Sequence, residues 1–242
     1  DRTRNTEIDG IYVGGLENFE AFDLKINETG ALNFEDTDFN NNLIVHRDLT
    51  IHPNASLIIG DTESLIIKNE AAIVIGDIEK IEKSSTSSPN DITYWSSPVF
   101  NEQIENVFED VNTDRIFYFD QSQHLDNNPA SDTYYHVWRI ATGAMEVAKG
   151  YAAEGVKVDD EIHPMSFKGK PNFGITETEV LDFHDDEIDN DFNLIGNPYP
   201  AAIDIEMFLM ENEDVIDGTA YFWNHNVGLV NGEYTQDDYV TY

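Results

Sequence analysis

Cysteine is absent from the 242 residues. Disulfide staples, thiolate metal ligands and cysteine nucleophiles are excluded together, so stability must come from burial, backbone ladders or bound ions. Basic residues are scarce. Thirteen lysines and arginines stand against 48 acids, a formal net charge of −35. Between Pro171 and Tyr242 there is no lysine or arginine at all. Such a surface repels phosphate backbones and anionic lipid, which argues against nucleic acid and direct membrane insertion as partners. No run approaches the roughly 18–20 apolar residues of a membrane-spanning helix. Also missing are an HExxH pattern, a GxSxG elbow and a glycine-rich phosphate loop; Gly14-Gly15 is an isolated pair. Carboxylate pairs decide nothing about glycosidic chemistry in so acidic a chain. The reading is that the chain is not an enzyme.

What the sequence does have is a packable interior, with 40% hydrophobic and 12% aromatic residues. From Leu49 to Ile78 it divides into eights that begin at Leu49, Leu57, Leu65 and Ile73. Each opens with strand formers and closes with turn-forming or polar residues. Helical spacing would put apolar residues at i, i+3, i+4 and i+7, which these triplets do not do. Short strands at a fixed pitch fit a stacked β-solenoid, because one unit is too short to bury its own face. A meander of hairpins is the competing arrangement. In the solenoid reading Leu57, Leu65 and Ile73 share one column, and Ala31–Phe34 and Leu43–His46 are less regular first rungs.

The run from Lys83 to Asp91, rich in serine with proline and asparagine, breaks this pattern and reads as a linker. The predicted organisation is all-β: a solenoid-like repeat stack over 1–82, a linker over 83–91, and a β-sandwich or jelly roll over 92–242. The second part has predicted strands at 92–99, 115–120, 133–140, 145–151, 165–168, 175–181, 192–195, 219–223 and 234–242. Its one predicted helix runs from about Asp204 to Asn212, with Asp204 as N-cap.

Several segments carry a resemblance. Thr93-Tyr94-Trp95-Ser96-Ser97-Pro98-Val99 comes first, followed by Ala148-Lys149-Gly150-Tyr151 and Phe167-Lys168-Gly169-Lys170-Pro171-Asn172. The longest is Asn193-Leu194-Ile195-Gly196-Asn197-Pro198-Tyr199-Pro200-Ala201-Ala202-Ile203-Asp204, and Gly218-Thr219-Ala220-Tyr221-Phe222-Trp223 succeeds it. In this order, over roughly 92–242, they resemble a module of exported Bacteroidota proteins that use the type 9 secretion pathway. The resemblance implies export and an extracellular or outer-surface location, and it carries no catalytic residues. The sorting domain typical of such proteins is not seen, and the sequence stops inside a predicted strand, so it reads as part of a longer chain.

Candidate sites are few. Asp189, Asp191 and Asn193 sit at i, i+2 and i+4, an oxygen-rich spacing that suits calcium. The glycine and distal glutamate of an EF-hand are missing, so an ordinary solvated acidic surface is the competing reading. Asp132-Thr133-Tyr134 resembles a short Bacteroidota O-glycosylation motif, with Thr133 as acceptor. Gly196-Asn197-Pro198-Tyr199-Pro200 reads as a rigid structural turn. Trp95, Trp138 and Trp223 read as core residues rather than a sugar platform. The function that follows is a secreted structural or adhesive surface module. Its partners would be other domains or copies of the same protein, or an extracellular glycan or protein. The alternative is a carbohydrate-binding module of a polysaccharide-degrading enzyme.

Overall fold

The computed structural model describes residues 4–14, 17–34, 41–84, 92–109, 111–122, 137–155, 157–158, 161–162, 164–180, 192–224 and 239–242. The protein is all-β: a stack of parallel coils is followed by antiparallel sheets in a sandwich-like arrangement.

The coils use very short strands because inward and outward positions alternate with a period of two. In β4 (Leu24–Ile26) and β7 (Leu49–Ile51) the outer two residues are buried, while Lys25 and Thr50 face outward. These strands stack in parallel between β1 (Thr6–Ile8) and β10 (Val74–Ile75), so Leu24, Leu49 and Val74 form one buried column. A second sheet stacks β2 (Ile11–Val13), β5 (Ala31–Phe34), β8 (Ser56–Ile59) and β11 (Ile78–Glu82), with Leu32 above Leu57. A third stacks β3 (Phe19–Ala21), β6 (Asn42–Val45) and β9 (Ser64–Ile67), with Leu43 above Leu65. Each coil therefore turns through three faces. The corners are stitched coil to coil: Asn27 N–H donates to Ile8 O, His52 N–H to Ile26 O and Ser56 N–H to Gly30 O. Gly30 is required there, since a Cβ would lie 2.4 Å from Ile8 O. Outside the corner, Asn27 Nδ2 donates to Asp9 Oδ1 at 2.7 Å and Asn54 Nδ2 to Glu28 Oε1 at 3.1 Å.

The solenoid reading holds and the hairpin reading does not, but the predicted column is wrong. Leu57 and Leu65 lie on different faces, and Ile73 is 62% exposed. An eight-residue unit is one face, and about three such units make the coil. Twenty-five positions separate Leu24 from Leu49 and Leu49 from Val74. The stack begins at Thr6, within the predicted 1–82 region and ahead of Ala31–Phe34, the earliest rung named from the sequence.

The last coil is closed by the chain itself. Strand β18 (Met165–Gly169) adds antiparallel to β11, pairing Lys80 with Phe167. Inside this junction the inward column Phe34, Ile59, Lys80 ends on a charge. Lys80, only 2% exposed, donates to Gly60 O, Asp61 O and Ile81 O and pairs with Glu82 Oε1 at 3.0 Å. Burial pushes the Glu82 carboxyl above its ordinary value, with Lys80 pulling the other way. At the third sheet Leu65 N–H donates to Pro200 O at 2.7 Å, so the Asn-Pro-Tyr-Pro segment covers that edge.

In the antiparallel part, β12 (Ile92–Trp95), β15 (Tyr151–Glu154), β13 (Ile116–Phe119) and β14 (Trp138–Ile140) form one sheet in that order. Trp95 on its inner face packs against Phe108 and against Phe167 of β18, which joins the two layers. The buried side chains of the coils and of this sheet make one continuous cluster. Short pairs form between β16 (Lys157–Val158) and β17 (Glu161–Ile162), and between β19 (Tyr221–Trp223) and β20 (Tyr239–Thr241).

The predicted helix is α2 (Ile205–Glu211), capped by the Asp204 carboxylate, which accepts from Met207 N–H at 3.2 Å. A second helix, α1 (Ile104–Val107), was not predicted. It is a single turn held by the buried Glu102, whose carboxylate accepts from Gln103 N–H, Asn106 Nδ2 and Lys168 N–H. One turn shows no helical periodicity in sequence. The strand predicted over 145–151 is instead a turn leading into β15, and 175–180 carries no ladder. Of the predicted linker, 85–91 lies outside the described residues.

Candidate binding surfaces

The outer face of the four-stranded sheet is built from aromatic rings. Tyr94, Ala152, Phe117 and Ile140 stand in one cross-strand row, and Phe119 lies opposite Trp138. Ala152 is small, which leaves room above it for rings from either side. Into that room β19 brings Trp223, stacked on Tyr94 at 5.6 Å and 25°. The Trp223 indole N–H donates to Ile92 O at 2.8 Å. Tyr239 of β20 meets Trp223 edge-on at 5.0 Å, and its hydroxyl hydrogen-bonds that of Tyr94 at 2.8 Å. Trp138 completes the group, 6.0 Å from Tyr94 and 5.3 Å from Phe119.

Core burial therefore holds for Trp95 alone. Trp138 and Trp223 are half-buried, a correction to the sequence reading. The cause is the β19–β20 ribbon, which packs on a sheet whose β12 lies more than a hundred residues earlier in the chain. A sugar platform needs open ring faces, whereas Tyr94 and Trp223 cover one another. The cluster acts first as a clasp that fastens the β19–β20 ribbon to the sheet.

A polar cavity of about 160 Å³ lies at one end of this sheet. Its wall includes Gln121, Glu146, Lys149, Thr178, Glu179 and Asn193. The turn Glu146–Lys149 shapes it. Ala148 takes φ 60°, a left-handed conformation uncommon for alanine. This turn brings Lys149 Nζ to 2.7 Å from Glu146 Oε1 and to 4.4 Å from the centre of the Tyr118 ring. The turn is zipped to the 193–197 segment by the Lys149–Ile195 bridge and by Gly150 N–H donating to Leu194 O. Tyr151 lies beneath, its hydroxyl accepting from Glu146 N–H, and burial raises its ionisation above the ordinary value. Next to Gln121 in the chain, the Ser122 hydroxyl, and then Arg139, hold the Asp120 carboxyl below the usual range.

Of the predicted calcium ligands, Asn193 lines this cavity, while Asp189 and Asp191 lie outside the described residues. Thr133 lies outside them too. Among the described residues, no three histidines or acids converge as a metal would require. Asn197-Pro198-Tyr199-Pro200 spends its polar groups internally: Asn197 Nδ2 donates to Ala201 O, Tyr199 OH to Gly174 O, and Asn172 Nδ2 to Pro198 O. It is a structural turn, as read from its two prolines. No described helix is long and apolar enough to cross a membrane.

No curated protein and no solved structure matches this chain. A family model described as a domain of unknown function, DUF8693, matches residues 3–242, through both the coils and the antiparallel part. The chain belongs to that family.

Proposed function

We propose that the chain is a non-catalytic structural or adhesive module of an exported protein, carried to the outer cell surface by the type 9 pathway. The observation behind this reading is the difference between the two ends of the coil stack. At the C-terminal end two of the three faces are covered, by β18 and by Pro200, and only the edge of β10 pairs with no described strand. At the other end, no described strand pairs with the outer edges of β1, β2 and β3. On β2, Ile11 is 84% and Val13 63% exposed. An uncovered parallel edge with apolar side chains is a template for another strand. A further domain of the same protein, or another copy, would continue the stack there. The acidity keeps such a rod soluble and apart from anionic lipid.

Export is tested on intact cells that make the protein. External protease should remove epitopes within 92–242 while a cytoplasmic marker survives. Protection of those epitopes until the cells are lysed would refute a surface location.

A further inference from the structure

We infer that α2 and the adjoining face of the β19–β20 ribbon form a docking surface for a basic amphipathic segment of another protein. A seven-residue helix has no stability of its own in water, where isolated helices below about 12–15 residues are marginal. Such a helix normally exists because it buries an apolar stripe. In α2, with sequence IEMFLME, Ile205, Phe208 and Leu209 are half-buried and supply that stripe, while the methionines turn away from it. Met207 is 59% exposed and Met210 71%.

The apolar surface does not stop at the helix. Phe222 and Val240 are directly paired on one face of the ribbon, and Tyr242 follows on the same side by the period of two. All three are exposed, as is Val215 after the helix. The Tyr242 hydroxyl donates to Glu206 Oε1 at 2.7 Å, which joins the ribbon to the first turn of α2. Methionine is a favoured residue at surfaces that accept helical partners, because its unbranched side chain adapts to them.

Charge identifies the occupant. Asp204, Glu206, Glu211, Glu213, Asp214 and Asp217 lie in α2 or within a few residues of its ends, and no lysine or arginine occurs from Pro171 onward. A second copy docking through this same face would bring the same acids against it and be repelled here. A segment with an apolar stripe flanked by lysine or arginine would seat its stripe on Met207 and Met210 and its cations on these acids.

The test is fluorescence anisotropy with a labelled synthetic peptide that carries leucine along one helical face and lysine along the other. Saturable binding that weakens with salt is expected, with Kd raised about tenfold or more in the Met207→Ser/Met210→Ser variant. Both positions are exposed, so the variant should fold, as its circular dichroism would check. Equal binding of a scrambled peptide of the same composition would reduce the effect to charge and overturn the inference. So would unchanged binding by the variant. A wild-type dimer in light scattering that becomes monomeric in the variant would assign the surface to a second copy and overturn it as well.

Discussion

Lys80→Ala is expected to destabilise the protein by about 3 kcal/mol, lowering its melting temperature by roughly 6–12 °C. The ammonium lies where the apolar column Phe34, Ile59 would otherwise continue, and it serves four oxygen acceptors at the end of the stack. Its removal leaves the carbonyls of Gly60, Asp61 and Ile81 short of a donor and Glu82 without its counter-charge. Lys80→Met keeps the aliphatic stem and removes only the charge, so it should lose less. The pH dependence has a definite sign. A carboxyl whose folded value is raised binds its proton more tightly in the folded state, so its contribution to stability falls as pH rises through the window above the ordinary value. Without Lys80 that window widens upward. The loss should therefore be larger near about pH 7 than near about pH 3, where Glu82 is protonated in both states. Chemical denaturation of wild type and variant at the two pH values measures this; an equal loss at both would contradict the role given to Glu82.

Phe34→Ala should cost about 3–5 kcal/mol. The ring is fully buried in β5, meets Phe19 edge-on at 6.2 Å, and fills the space in front of Gly14, where a Cβ would come to 2.9 Å from it. Its loss opens a cavity between the first and second coils that backbone ladders on three sides prevent from collapsing. In a stack each coil touches only its neighbours, so the damage should be local. Hydrogen exchange is expected to accelerate over 4–34 and stay slow in β12, β13 and β15. Lys80→Ala, at the junction, should instead loosen both parts. Uniform acceleration in Phe34→Ala would show that the coils do not open independently.

The coil stack was legible where the units are regular, from Leu49 onward, because three inward aliphatics at one spacing leave a clear trace. The earlier coils were harder to see. β1 to β3 are three residues each, and the corners between them vary in length while the register stays fixed. The number of faces per coil was not legible, since a period of eight fits one face or one rung equally well. Asp204 announced α2 through a capping residue before an apolar run. α1 gave no such signal, because Glu102 holds it through partners as distant as Lys168. The aromatic clasp was hidden for a related reason. Tyr94 and Trp95 are adjacent in sequence but face opposite sides of a sheet, and the partners of Tyr94 come from β14, β19 and β20.

The stacking register is most directly tested by engineered disulfides, which a cysteine-free chain makes unambiguous. Neighbouring strands lie about 4.8 Å apart, within the Cα separation a disulfide spans. Lys25 and Thr50 are registered partners in β4 and β7, both facing outward. Ser56 and Ser64, one eight-residue unit apart, lie in different sheets. Oxidation of Lys25→Cys/Thr50→Cys should close a disulfide quantitatively, detected by mass spectrometry after digestion, while Ser56→Cys/Ser64→Cys stays reduced. A disulfide in the second pair and none in the first would contradict the three-faced coil.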